Sequence, residues 1–258
     1  MPYAIIQIDL TPPPPVEALR QAFAEAKTIR PADAPVLARE SYGILAEHLP
    51  APEALTISGL LKELGVATEV VNQADIPVLP PPVHTGRVDC LAEGLAVYDA
   101  LGRQTLINWP EVMVVAAGRV GLIDLVQQEA KYFPQDQAAA FALGMGVSGY
   151  SRQRRNSRYK ETPRGHLLLD LILQGSRRYR ADASRLNYGY LGPRQKSTAA
   201  ENFKLLVGDL ARLARSASLN RGAEAICMDF AYPTRQAFER ETIWRLWKRA
   251  REHRDAGK

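Results

Sequence analysis

Cysteine, histidine and long apolar runs are scarce in this chain, and each scarcity removes a class of function. Two cysteines, Cys90 and Cys227, stand far apart in 258 residues. Neither belongs to a paired spacing of the kind that holds zinc. The opening Met1-Pro2-Tyr3 has no basic stretch leading into an apolar one, so no secretory signal is expected. Two reduced, buried thiols are then expected rather than a disulfide. Four histidines, His48, His84, His166 and His253, are scattered and read as surface or loop residues. His166 lies near Asp170 in sequence, but one such pair is not a site. Apolar runs such as 112–117 and 167–169 fall far short of the roughly 18 residues a spanning helix needs. A cytoplasmic protein that does not span a membrane is expected.

Catalytic and cofactor motifs are missing as well. No serine sits in a nucleophile elbow or beside a phosphate-loop lysine. Gly144, Gly146 and Gly149 have the spacing of a dinucleotide loop, but they precede an arginine run instead of opening a helix after a strand, so they read as loop glycines. Paired carboxylates for hydrolysis cannot be picked out of 28 acidic residues. No cofactor and no metal is expected. The balance leans away from an enzyme, while leaving open a site assembled from residues distant in sequence.

What is present is an average globular composition, 46% apolar and 24% charged, enough to bury a core. The net charge of +5 hides an asymmetry. Residues 1–130 carry 8 Lys/Arg against 16 Asp/Glu, a net of −8, and residues 131–258 carry 25 against 12, a net of +13. Either the two halves face each other or the basic half meets an outside anion.

Periodicity gives the elements. Residues 3–10 read as a strand and 12–15, a proline run, as its stop. Helices are expected over 16–27, 34–39 and 52–64, the last ended by Gly65, with strands at 42–49 and 66–71. Helix–strand alternation within residues 1–76 gives a small βαβαβ module with its helices on one side, ferredoxin-like in element order. Residues 77–83 are proline-rich, a semi-rigid linker. Strands follow at 95–98, 105–109, 112–117, 167–173 and 177–180. Thr198 and Glu201 form a capping box ahead of a helix over 199–214, where Phe203, Leu206, Val207, Leu210 and Leu213 recur at helical spacing. An amphipathic helix over 235–254 carries a stripe of Ile243, Leu246, Trp247 and Ala250 and packs back on one of the modules. Residues 127–163 read as a long insertion.

Three features within residues 87–214 go together: a hairpin from Gly94-Leu-Ala-Val-Tyr-Asp99 into Ile107-Asn-Trp-Pro-Glu-Val112, a later strand pair around 167–179, and the capped helix Asn202-Phe203-Lys-Leu-Leu206. In these the chain resembles bacterial pleckstrin-homology-like domains. The resemblance implies an antiparallel barrel over 84–220, with the helix closing one open end and the insertion 127–163 between strands. It also implies a protein that binds peptides, lipids or partner proteins without catalysis. The fold expected is α+β: an N-terminal module, a barrel and a C-terminal helix over 221–258.

Two candidate surfaces follow. Arg152, Arg154, Arg155, Arg158 and Lys160 form a basic run, flanked by Tyr150 and Tyr159, and Arg177 and Arg178 repeat the theme. Guanidinium forks and stacking tyrosines suit a polyanion such as nucleic acid, or an anionic surface. The plainer alternative is a solvated loop paired with the acidic half. Trp244 and Trp247, three apart on the last helix, read either as core or as a pair docking a partner. The leading expectation is a non-catalytic binding or scaffolding protein that meets a protein partner or a second copy of itself. Polyanion binding is the alternative, and an enzyme with a hidden site the third.

Overall fold

Alternation along the first strand decides how the N-terminal part is built. In β1 (Tyr3–Gln7) Ile5 points to one side of the sheet and Ala4 and Ile6 to the other, as a period of two requires. β2 (Ile44–Leu49) and β3 (Thr68–Asn72) flank it, both antiparallel, in the order β2-β1-β3. α1 (Val16–Ala24), α2 (Ala34–Glu40) and α3 (Ala51–Glu63) cover the Ile5 side, where Leu19, Phe23, Ile57 and Leu61 are buried. The expected β and α elements are present here. The second face is not left to solvent.

The computed structural model describes residues 1–127, 159–226 and 230–256, and shows a mixed α+β chain. Met1–Gly121 with Gly165–Lys258 forms one compact unit, and Leu122–Arg164 a second. In the first unit, β4 (Val83–His84), β5 (Arg87–Cys90), β6 (Leu95–Tyr98) and β7 (Gln104–Ile107) follow the N-terminal module. β8 (Val112–Gln127), β9 (Tyr159–Leu173) and β10 (Arg177–Asp182) come next. β8 and β9 are longer than the sequence pattern indicates and run on into the second unit, whose described part is their continuation as backbone strand. α4 (Ala199–Leu213), β11 (Ser218–Leu219), α5 (Arg221–Glu224), β12 (Ala231–Tyr232) and α6 (Arg235–Ala256) complete the chain.

The central strands do not join into one barrel. Among the described residues they divide into a sheet ordered β11-β8-β9-β10-β4, with β12 also on β8, and a separate sheet β5-β6-β7. α4 lies in the core between them. Its Phe203, Leu206, Val207 and Leu210 share one apolar cluster with Leu95, Val97 and Ile107 of the small sheet and Val115, Leu169 and Leu171 of the large one. Thr198 caps this helix by accepting from the Glu201 amide, and its side chain also hydrogen-bonds the Glu201 carboxylate.

The proline-rich stretch is not a free linker. Ile76 is buried at its start, Pro80 accepts a hydrogen bond from Arg178 Nη1, and Val83–His84 pairs in parallel with β10. Proline lacks a donor but keeps its carbonyl, so a buried arginine can still hold the segment against the sheet.

Candidate functional site

The tryptophan pair belongs to a core. Trp244 and Trp247 pack with Ala4, Ile6, Tyr42 and Ile44 on the outer face of the N-terminal sheet, and only 5% and 3% of them is exposed. Trp244 Nε1 donates to the Gln7 carbonyl at 2.7 Å, so its polar edge is satisfied inside. Neither ring is offered to a partner.

The basic residues separate into three groups. Arg152, Arg154, Arg155 and Arg158 lie outside the described residues, as do Gly144, Gly146, Gly149 and Cys227, and Lys160 is described only as backbone in β9. Arg177 is half-exposed and bonds Glu111 at 2.8 Å. Arg178 is buried, donating through Nε and Nη2 to Asp170 at 3.0 and 2.6 Å and through Nη2 to Glu239 at 2.8 Å. Its guanidinium is committed inside the fold and is not presented to a polyanion. The sequence could not show this, because alternation on β10 that places one arginine out and the next in looks the same as two solvated arginines.

Arg180 joins the same network, donating to Asp170 at 2.6 and 2.7 Å and to Glu239 at 2.9 Å. Asp170 is fully buried, and it can sit there because two guanidinium forks saturate it. His166 turns instead to Asp182, at 2.9 Å. A second network surrounds Glu241, also fully buried, which accepts from the Arg221 amide at 2.7 Å, Arg221 Nε at 2.9 Å and the Tyr232 hydroxyl at 2.9 Å. Both networks tether α6, the first through Glu239 and the second through Glu241.

Cys90 lies beside Tyr190, whose hydroxyl donates to Asp209 at 3.1 Å. Burial pushes the Cys90 thiol up to about 12, against a smaller lowering by Tyr190. A thiol so placed is protonated at neutral pH and is no nucleophile. Among the described residues no three metal-ligating side chains converge, and no helix is long and apolar enough to cross a membrane.

A pocket of about 220 Å³ opens where β8, β9, α4 and the segment from α5 to β12 meet. Arg119 and Lys204 contribute its charge, Leu167, Ile226 and Phe230 its apolar walls, and Gly222 its floor. Close backbone packing shapes it. A Cβ on Gly222 would lie 2.0 Å from the Ala117 carbonyl oxygen, and one on Gly165 would lie 2.7 Å from Arg119 Cγ. Asn220 fixes the floor, accepting from the Ala117 and Ala223 amides at 2.9 Å and donating to Tyr232 at 2.8 Å. Sequence reasoning missed this site. Its only linear signal is Asn220-Arg-Gly222, which has no periodicity.

The small sheet presents another feature. Among the described residues β7 is its terminal strand and pairs only with β6. Asp99 N donates to Arg103 O at 3.1 Å, which makes 99 and 103 a hydrogen-bonded pair. Alternation then makes Val97 and Thr105 the next such pair, and the backbone groups of Gln104 and Leu106 point away from β6. Gln104, Thr105 and Leu106 are exposed, as is Leu101 in the adjoining turn, while Ile107 is buried. No protein-family model, curated protein or solved structure matches the chain.

Proposed function

We propose that this is a non-catalytic binding or scaffolding protein of the cytoplasm that works by contact with another polypeptide, either a partner protein or a second copy of itself. The open edge of β7 carries the reading. It offers outward amides and carbonyls at Gln104 and Leu106, beside the exposed apolar side chains of Leu101 and Leu106. An extended segment can add to such an edge, with the backbone supplying affinity and side-chain contacts supplying specificity. Strands β4 and β10 show the same kind of pairing within the chain, two residues added in parallel to a longer strand. The resemblance of residues 87–214 to pleckstrin-homology-like domains, which mostly bind peptides, lipids or proteins, agrees with it.

The edge itself provides the test. Leu106→Pro removes an amide that faces outward, so the β6–β7 ladder keeps its own bonds, as edge prolines allow. Leu106→Lys leaves the backbone and blunts the edge with charge. Self-association is read by sedimentation velocity over a concentration series, and partner capture by co-purification from the native host. The reading expects an association present with the wild type and lost with both variants at unchanged thermal midpoint. An association indifferent to both, or a wild type that stays monomeric and captures nothing, overturns it.

A further inference from the structure

We infer that the chain carries two docking ligands, at 13–16 and at 80–83, for a partner protein that reads polyproline II helices through an aromatic-lined groove. Neither ligand includes a residue of the β7 edge, and the inference does not rest on the reading of that edge.

The same tetrapeptide, Pro-Pro-Pro-Val, occurs at both places in the sequence. Covalent chemistry sets its conformation. A proline ring locks its own φ at about −65°, and it pushes the residue before it to an extended ψ. Pro13 and Pro14 in the first copy, and Pro80 and Pro81 in the second, are therefore fixed in both angles. Pro15 has φ −61° and ψ 129°, within the spread of the polyproline II region.

Both copies lie on the surface. Val16, the first residue of α1, is 48% exposed, and Val83, the first residue of β4, is 53% exposed. Pro13, Pro15 and Pro81 are exposed as well. A polyproline II helix has three residues per turn, so Pro13 and Val16 share one ridge of the first copy. Val78 and Pro81, also three apart, are both exposed around the second, Val78 at 88%. Each copy is fastened to the fold near its start. Gln7 Nε2 donates to the Pro12 carbonyl at 3.5 Å, and Arg178 Nη1 donates to that of Pro80 at 3.4 Å. One proline is enough to stop a strand, whereas a repeated apolar ridge facing water is what an aromatic groove packs against. Because the ridge is already ordered, docking it loses little conformational entropy. The tetrapeptide has no charge, so it offers nothing to a polyanion or an anionic surface.

A set of isotope-labelled WW domains, whose aromatic rings form such a groove, is the probe. Titrating each with the unlabelled full chain should shift the indole N–H signal of the groove tryptophan in at least one of them. Saturation is expected below about 1 mM, with two domains bound per chain. Pro13→Asp and Pro81→Asp place a charge on an exposed ridge position, so each should reduce the stoichiometry from two to one. The double variant should bind at least about tenfold more weakly than the wild type. Thermal midpoints equal to the wild type show that these surface changes leave the fold intact. Leu106→Lys should leave the titration unaltered, which separates this inference from the β7 reading. The proposal is overturned if no groove signal shifts by about 1 mM. Shifts that survive in the double variant, or a single variant that still binds two domains, overturn it equally.

Discussion

Cys90 and Gly43 show how single residues are fixed by what surrounds them. With its pKa pushed up to about 12 by burial, Cys90 carries thiolate in only about one molecule in ten thousand near pH 8. In a Cys227→Ser background, iodoacetamide should therefore modify native protein more than about a hundredfold slower than urea-unfolded protein. Equal rates would show that the thiol is not held inside. Gly43 adopts φ +76°, and a Cβ there would lie 2.8 Å from both Cβ and Cγ of Trp244. Gly43→Ala thus combines left-handed strain of about 1–2 kcal/mol with a collision against a core ring. The denaturation midpoint should fall with unchanged cooperativity, and tryptophan emission should shift to the red as the Trp244–Gln7 contact loosens. A loss well below about 1 kcal/mol would mean the helix can slide to make room.

At the level of elements, α6 is held from two sides. Its tryptophans cover the N-terminal sheet, while Glu239 takes hydrogen bonds from Arg178 and Arg180 of β10. Asp170 is the centre of that second anchorage, because both guanidinium groups converge on it and it has no solvent to fall back on. Asp170→Ala should cost about 3–5 kcal/mol by leaving two buried cations short of a counter-charge. Glu239→Gln, at the wetter end of the network, should cost clearly less, since water can replace part of what is lost. Urea titration of the two variants decides it, and equal losses would place the anchorage at Glu239 instead. The sequence was legible here in proportion to the length of each pattern. α4 could be read with its cap because five apolar residues repeat at helical spacing behind Thr198 and Glu201. The stripe on α6 was read only in part: Leu246 and Trp247 are buried and Ile243 partly so, Ala250 is exposed, and Phe238, Glu241, Thr242 and Trp244 are buried outside it. A helix packed between two sheets buries more than one face. β4, β11 and β12 are two residues each, too short to have a period, and pairing with longer strands alone creates them. The pocket was illegible for the same reason, since its walls come from four separate stretches.

Across the whole molecule, part of the charge asymmetry is answered internally. Arg240 bonds Glu47 at 3.5 Å, Lys248 approaches Asp9 at 3.8 Å, Arg177 bonds Glu111 at 2.8 Å, and Arg251 pairs with Glu69. Each joins the basic half to the acidic one, and three of the four lie on α6. Apart from the more buried Arg240–Glu47 such pairs are partly exposed and individually weak, so the pH response should be set by the more buried carboxylates. Burial by itself would raise Glu239, Asp209 and Asp182. Hydrogen bonds and charge outweigh it and hold all three below the usual carboxylate range, from Arg178 and Arg180 on Glu239, from Arg194, Arg212 and Tyr190 on Asp209, and from Ser184 and His166 on Asp182. A carboxyl lowered in the folded state binds fewer protons there than in the unfolded chain at intermediate pH. Its stabilisation is complete above the unfolded value, roughly pH 4, and is lost as pH falls through the lower folded value. Urea midpoints should therefore stay level from neutrality to about pH 5 and decline below it. Glu239→Gln should remove its share of that decline, giving a shallower acid limb from a lower plateau. A decline already under way near pH 6 would assign the acid response to histidine ionisation and not to these carboxylates. An acid limb unchanged in Glu239→Gln would show that the α6 anchorage does not sense protons at all.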